Sequence, residues 1–257
     1  MRPLKLFRAA FLWSFVSANA NAQSCESMTF TENIEPISLG FNIGAHLKLT
    51  DHAGIVRISS WPSNENTILI RAKKKVTIST CSPDVESPEI FLSQLDVEVS
   101  GDANEVTVNS IFPESTLSGV SSLSLDYNIK IPNKASLDIL NKLGAINISG
   151  IAGSMDLDLV AGKIKVLHPA RPEPADTIDL RNNSGLITLK LPTRSAFDIN
   201  ALVTLGFINV ENLPVTVNSS LVGARINDSV NGGGTDVMIH LGAGVIKLFG
   251  LPGKGEM

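Results

Sequence analysis

From residue 137 to residue 248 the apolar positions repeat one figure, a glycine followed by two aliphatic residues spaced two apart. It occurs as Gly144-Ala-Ile146-Asn-Ile148, Gly162-Lys-Ile164-Lys-Val166, Gly185-Leu-Ile187-Thr-Leu189, Gly206-Phe-Ile208-Asn-Val210 and Gly244-Val-Ile246-Lys-Leu248. Residues two apart on a strand face the same side. Each aliphatic pair therefore points inward, while the intervening Asn147, Lys165, Thr188, Asn209 and Lys247 point to water. A second alternating run precedes each glycine: Leu137 and Ile139, Met155 to Leu159, Ile178 and Leu180, Phe197 and Ile199, and Val237 to Leu241. The predicted unit is strand, corner, strand, with glycine at the corner because a side chain would obstruct positive φ or close backbone approach. Successive glycines lie 18, 23, 21 and 38 residues apart, so the last interval spans two periods; a degraded copy around Gly223 and Ile226 is predicted to fill it.

A unit of about twenty residues cannot bury its own apolar face and has to stack on its neighbours. The expected fold is all-β, a β-solenoid-like stack of short strands with glycine-marked turns. Upstream, alternation continues at His46 to Leu49, Ile55 to Ile58, Thr67 to Ile70, Val76 to Ile78, Leu95 to Val99, Val106 to Val108 and Leu123 to Ile131. Gly54-Ile-Val56-Arg-Ile58 repeats the glycine figure, while Pro62-Ser-Asn-Glu-Asn and Gly101-Asp-Ala-Asn are predicted to join hairpin arms. Residues 23–132 thus form a less regular strand region, continuous with a glycine-punctuated repeat region at 133–257. His168-Pro-Ala-Arg-Pro-Glu-Pro-Ala should project as a loop, because its prolines break strand pairing.

The N-terminus changes the picture. Arg2, Lys5 and Arg8 are followed by an apolar run from Ala9 to Val16, and then by small residues that place Ala20 and Ala22 at the positions a signal peptidase recognises. Residues 1–22 are expected to be a signal peptide, with cleavage after Ala20 as the alternative. The apolar run is too short for a membrane span, which needs about twenty residues. The chain holds 21 Lys plus Arg against 25 Asp plus Glu, and losing three basic residues with the leader takes its formal charge from −4 to −7. That balance argues against non-specific nucleic-acid binding. With 43% hydrophobic but only 5% aromatic residues, the core has to be packed from aliphatic side chains. Cys25 and Cys81 both lie in the exported part, where a disulfide is permitted. The competing reading makes Cys25 a lipidated first residue, although Ala22-Gln23-Ser24 is a poor cleavage box for that processing.

Catalytic chemistry is not signalled. His46, His52, His168 and His240 are scattered, and no Cys-x-x-Cys, His-Glu-x-x-His, EF-hand or Gly-x-Ser-x-Gly pattern occurs. No cofactor is implied. One polar feature is regular: Asp138, Asp156 and Asp179 each stand six residues before a repeat glycine and should stack as an outward-facing column. Like charges on adjacent strands repel unless bridged, so a cation such as calcium is a candidate occupant there.

The chain resembles the bacterial putative-adhesin family of β-strand repeat proteins, a domain of unknown function. The carriers are Gly54-Ile-Val-Arg-Ile-Ser-Ser-Trp61, Tyr127-Asn-Ile-Lys-Ile-Pro132, the serial glycine figures, Leu189-Lys-Leu-Pro192 and Gly242-Ala-Gly-Val-Ile-Lys-Leu248. The resemblance implies a periplasmic, cell-surface or secreted envelope protein with no catalytic residues to carry over. It departs from the plainer family pattern in the Cys25 and Cys81 pair and in the proline-rich loop. The reading is an exported binding or structural module that presents strands to an envelope or surface protein or glycan. The alternatives are a polysaccharide-active β-helix enzyme and an envelope sensory component.

Overall fold

The computed structural model describes residues 26–62, 65–79, 87–113, 120–168 and 177–252. The signal-peptide residues, Cys25, Cys81 and the proline-rich segment after His168 lie outside the described residues. The elements, in order, are β1 (Ser27–Asn33), β2 (Ile37–Gly40), β3 (His46–Ser60), β4 (Thr67–Ser79), α1 (Pro88–Gln94), β5 (Asp96–Gly101), β6 (Glu105–Ile111) and β7 (Val120–Ile131). They continue with β8 (Ser136–Ser149), β9 (Met155–Leu167), β10 (Thr177–Pro192), β11 (Phe197–Glu211), β12 (Asn218–Ser219), β13 (Ala224–Val230) and β14 (Thr235–Leu251). The protein is nearly all β, and its strands form one sheet whose main path runs β1-β4-β7-β3-β8-β9-β10-β14-β11-β13-β12.

Six long strands, β3, β8, β9, β10, β14 and β11, lie parallel and in register, with their glycines adjacent as Gly54, Gly144, Gly162, Gly185, Gly244 and Gly206. The expected strand, corner, strand unit is a single strand that runs through its glycine. Buried positions step by two on either side of that glycine and by five across it: Ile139 to Asn141 and then Ile146 in β8, Leu157 to Leu159 and then Ile164 in β9. The extra residue reverses the inward parity at the corner, so side chains of both arms reach the same core. Here "first arm" and "second arm" denote the parts before and after the glycine.

Close approach explains the residue type. Gly162 has φ +137°, and a Cβ placed on it would sit 1.9 Å from the Gly144 carbonyl oxygen. The same encounter with the preceding strand recurs along the column, so any side chain would force the strands apart. The core is aliphatic, with Leu157, Ile164, Ile187, Ile239 and Ile246 fully buried among many others.

The spatial order departs from the chain order. The neighbour of β10 is β14, the last strand, which is inserted between β10 and β11. The expected degraded rung around Gly223 and Ile226 is instead β13, which pairs antiparallel with the first arm of β11. Pro62 does not mark a hairpin turn either, since β7 lies between β3 and β4. Gly101 does mark one, joining β5 to β6 with the Asp102 carboxylate accepting from the Asn104 and Glu105 amides. The first half is mixed: β1, β2 and β7 pair antiparallel with β4, while β6 and β7 run parallel to the two arms of β3. The one described helix, α1, begins with Pro88 and buries Phe91 and Leu92.

Candidate functional site

The two arms present outer faces of opposite charge. On the first-arm face the register brings Asp138, Asp156 and Asp179 side by side on β8, β9 and β10. Arg181, two residues along β10 and so on the same face, donates to Asp179 at 2.7 Å and to Asp156 at 3.1 Å. Its guanidinium supplies positive charge between two of the three carboxylates. Partial burial raises the Asp156 carboxyl above its ordinary range, with Asp179 and Asp138 adding to the effect and Arg181 opposing it. At the far end, Lys48 on β3 adjoins Asp138 in register and pairs with Glu105 at 2.9 Å. Among the described residues no three His, Cys, Asp or Glu side chains converge as a metal-ion site.

Acidity continues along that face. Asp198 on β11 and Asp236 on β14 are register partners, and with Asp228 on β13 they line a groove of about 600 Å³. Asp198 accepts from the Ser229 hydroxyl and from the Gly234 amide, which together hold its carboxyl below the usual range. His46 and His52 turn to separate partners: His46 lies 3.9 Å from Glu105, and His52 packs on the Phe112 ring at 5.2 Å.

The second-arm face is basic. Arg57, Lys165, Lys190 and Lys247 project from it, and Lys190 lies 5.0 Å over the Phe249 ring. Lys130 on β7 sits 5.1 Å over Trp61, whose indole N–H donates to the Thr67 carbonyl.

A buried polar column runs behind the corner. Asn141 and Asn182, each three residues before its glycine, donate to the Gly54 and Gly162 carbonyls at 3.2 and 3.1 Å. Their side-chain carbonyls accept from the Leu143 and Ser184 amides, so each tightens its own bend and ties it to the neighbouring strand. Asp51 holds the equivalent place in β3. The Ser110 hydroxyl donates to Asp51 at 2.7 Å and lies 2.6 Å from the Tyr127 hydroxyl, which joins β3, β6 and β7 where β3 changes partner. Burial pushes the Asp51 carboxyl up to about 6, against the pull of Ser110 and of the His52 and Ala53 amides. It also raises Tyr127 above its ordinary range. Sequence reasoning missed this column, although Asp or Asn three residues before Gly54, Gly144 and Gly185 was the available sign.

Among the described residues no helix is long and apolar enough to cross a membrane. No family model matches the chain, and no curated protein matches it. Among solved structures, a putative cell adhesion protein from Clostridium sporogenes is similar with a TM-score of 0.55 at 15% identity, over 88% of this chain and 100% of that one. A putative adhesin from Bacteroides fragilis aligns at 8% identity and a TM-score of 0.31, over 86% of this chain and 97% of that one. The first of these likenesses establishes a shared fold.

Proposed function

We propose that this chain is an exported, adhesin-like protein of the cell envelope that acts as a non-catalytic binding or structural module. In this reading the six in-register strands are the rungs of a β-solenoid-like stack, and the module presents straight rows of side chains to an envelope protein or glycan. The observation that carries it is the register: side chains of six strands align rung by rung on two outer faces of opposite charge. Rigid rows of that kind suit an extended partner. Export rests on the leader pattern, and the fold shared with the Clostridium sporogenes protein is consistent with an adhesion role.

The test pairs two measurements on the purified chain without its leader. Co-sedimentation with cell-envelope fractions is expected to retain it, and assays on acidic polysaccharides are expected to show no turnover. Turnover abolished by Asp156→Ala would establish an enzyme on the first-arm face and overturn the proposal, as would failure to sediment with any envelope fraction.

A further inference from the structure

The residues three positions after the corner glycines form one row across the second-arm face, continued onto β7 and β4. Its cations are Arg71, Arg57, Lys165 and Lys247. They do not sit on adjacent strands. Asn128 separates the first two, Asn147 the next two, and Thr188 the last two, each in register with its neighbours. With strands about 4.8 Å apart, positive charge recurs about every 9.5 Å along the row. None of the four cations has an acidic partner among the described residues. Further cations stand in both flanking rows. On the corner side the neighbouring row holds Ala145, Lys163, Leu186 and Val245 and ends at Phe207, 59% exposed. On the other side Lys130, Ser59, Ser149, Leu167, Lys190 and Phe249 adjoin in register.

We infer that this row binds an acidic linear polysaccharide that carries one negative charge per disaccharide. The inference rests on the binding-module reading and names its ligand class. Two pyranose rings of an extended chain span about the distance between successive cations, so each charge of such a polymer meets a Lys or Arg. The uncharged sugar between them meets Asn or Thr. Hydroxyls find amide and hydroxyl partners in the row, and the C–H faces of the rings find Leu186, Val245 and Phe207 beside it. A nucleic-acid duplex fits poorly, because its backbone carries a charge about every 1.7 Å. A polymer with a carboxylate on every sugar leaves alternate charges facing Asn147 or Thr188 and not a cation of the row. Cations set apart by neutral residues also avoid the cost of like charges directly opposite one another.

The experiment measures binding of the purified chain to hyaluronan, polygalacturonate, dextran and phosphatidylglycerol vesicles. Hyaluronan has one carboxylate per disaccharide and polygalacturonate one per sugar. At equal carboxylate concentration the chain is expected to bind hyaluronan more tightly than polygalacturonate, to ignore dextran, and to weaken with added NaCl. Arg57→Gln, Lys165→Gln and Lys247→Gln are each expected to weaken hyaluronan binding about five-fold. The triple variant should abolish it, and Lys48→Gln on the opposite face should leave it unchanged. Equal or stronger binding to polygalacturonate, binding confined to vesicles, or an unaffected triple variant that unfolds at the parent's temperature would overturn the row's assignment. If parent and triple variant co-sediment equally with envelope fractions, the binding-module reading stands and the row's assignment falls. If neither sediments nor binds a polymer, both fall.

Discussion

Asp51 occupies a place that the next strand of the sheet fills with Asn141. A carboxyl there, buried and lifted to about 6, is bound as the neutral acid more readily in the folded chain than in the unfolded one. Its contribution to stability is therefore fully present below about pH 4 and is lost as pH rises to about 6. Above that the ionised carboxylate is carried at a cost of about 3 kcal/mol. Asp51→Asn keeps the acceptor for Ser110 and adds a donor, as Asn141 and Asn182 use theirs. The variant is expected to unfold at higher temperature than the parent at pH 7, with the difference shrinking to nothing near pH 4. A difference independent of pH in thermal melts would show that Asp51 is not the titrating group. The glycine column allows no such exchange. Gly162→Ala puts a methyl group into the Gly144 carbonyl at a backbone conformation that L side chains avoid, and is expected to cost more than about 3 kcal/mol in chemical denaturation.

At the scale of the strand, Arg181 offsets an arrangement that β-pairing would otherwise penalise. Asp156 and Asp179 are held opposite one another by a register that the glycines and buried aliphatic residues fix, so the charges cannot slip apart. Arg181 is half-exposed and screened, and so its net contribution is modest. Arg181→Gln is expected to lower stability by about 0.5–1 kcal/mol at low salt, with the loss fading as NaCl is added. Adding Asp179→Asn should restore most of it, and denaturation of the single and double variants at two salt concentrations checks both outcomes.

At the scale of the molecule, the last strand completes the middle of the sheet. Thr235–Leu251 lies between β10 and β11, so both remain open edges until the C-terminal residues arrive. A chain ending before Thr235 is expected to lose its cooperative unfolding transition, and amide exchange in β10 and β11 should rise above that in β8 and β9. Persistence of a sharp transition would mean that the sheet closes directly between β10 and β11. Full-length folding should be slow, since these pairings are parallel and distant in sequence.

Much of the fold was legible because strand chemistry is local. Alternating aliphatic positions fix which side chains are buried, and a glycine at each corner states where the backbone comes too close for a side chain. The acid column was readable for the same reason, as equal spacing from the glycines becomes adjacency once strands lie in register. What the sequence could not state is which strand lies beside which. Each of the six parallel strands carries nearly the same Gly-x-aliphatic face, so β14 packs against β10 as well as β11 would, and only the assembled sheet distinguishes them. Asp51 with Ser110 and Tyr127 likewise joins residues 59 and 17 positions apart, and Arg181 reaches Asp156 across 25. The sequence by itself determined a chain of inward aliphatic rows hinged on glycine. Tertiary structure decided the order of the strands, and with it which charges became neighbours, because pairing partners are chosen across the sheet and charge patterns exist only once the rows are aligned.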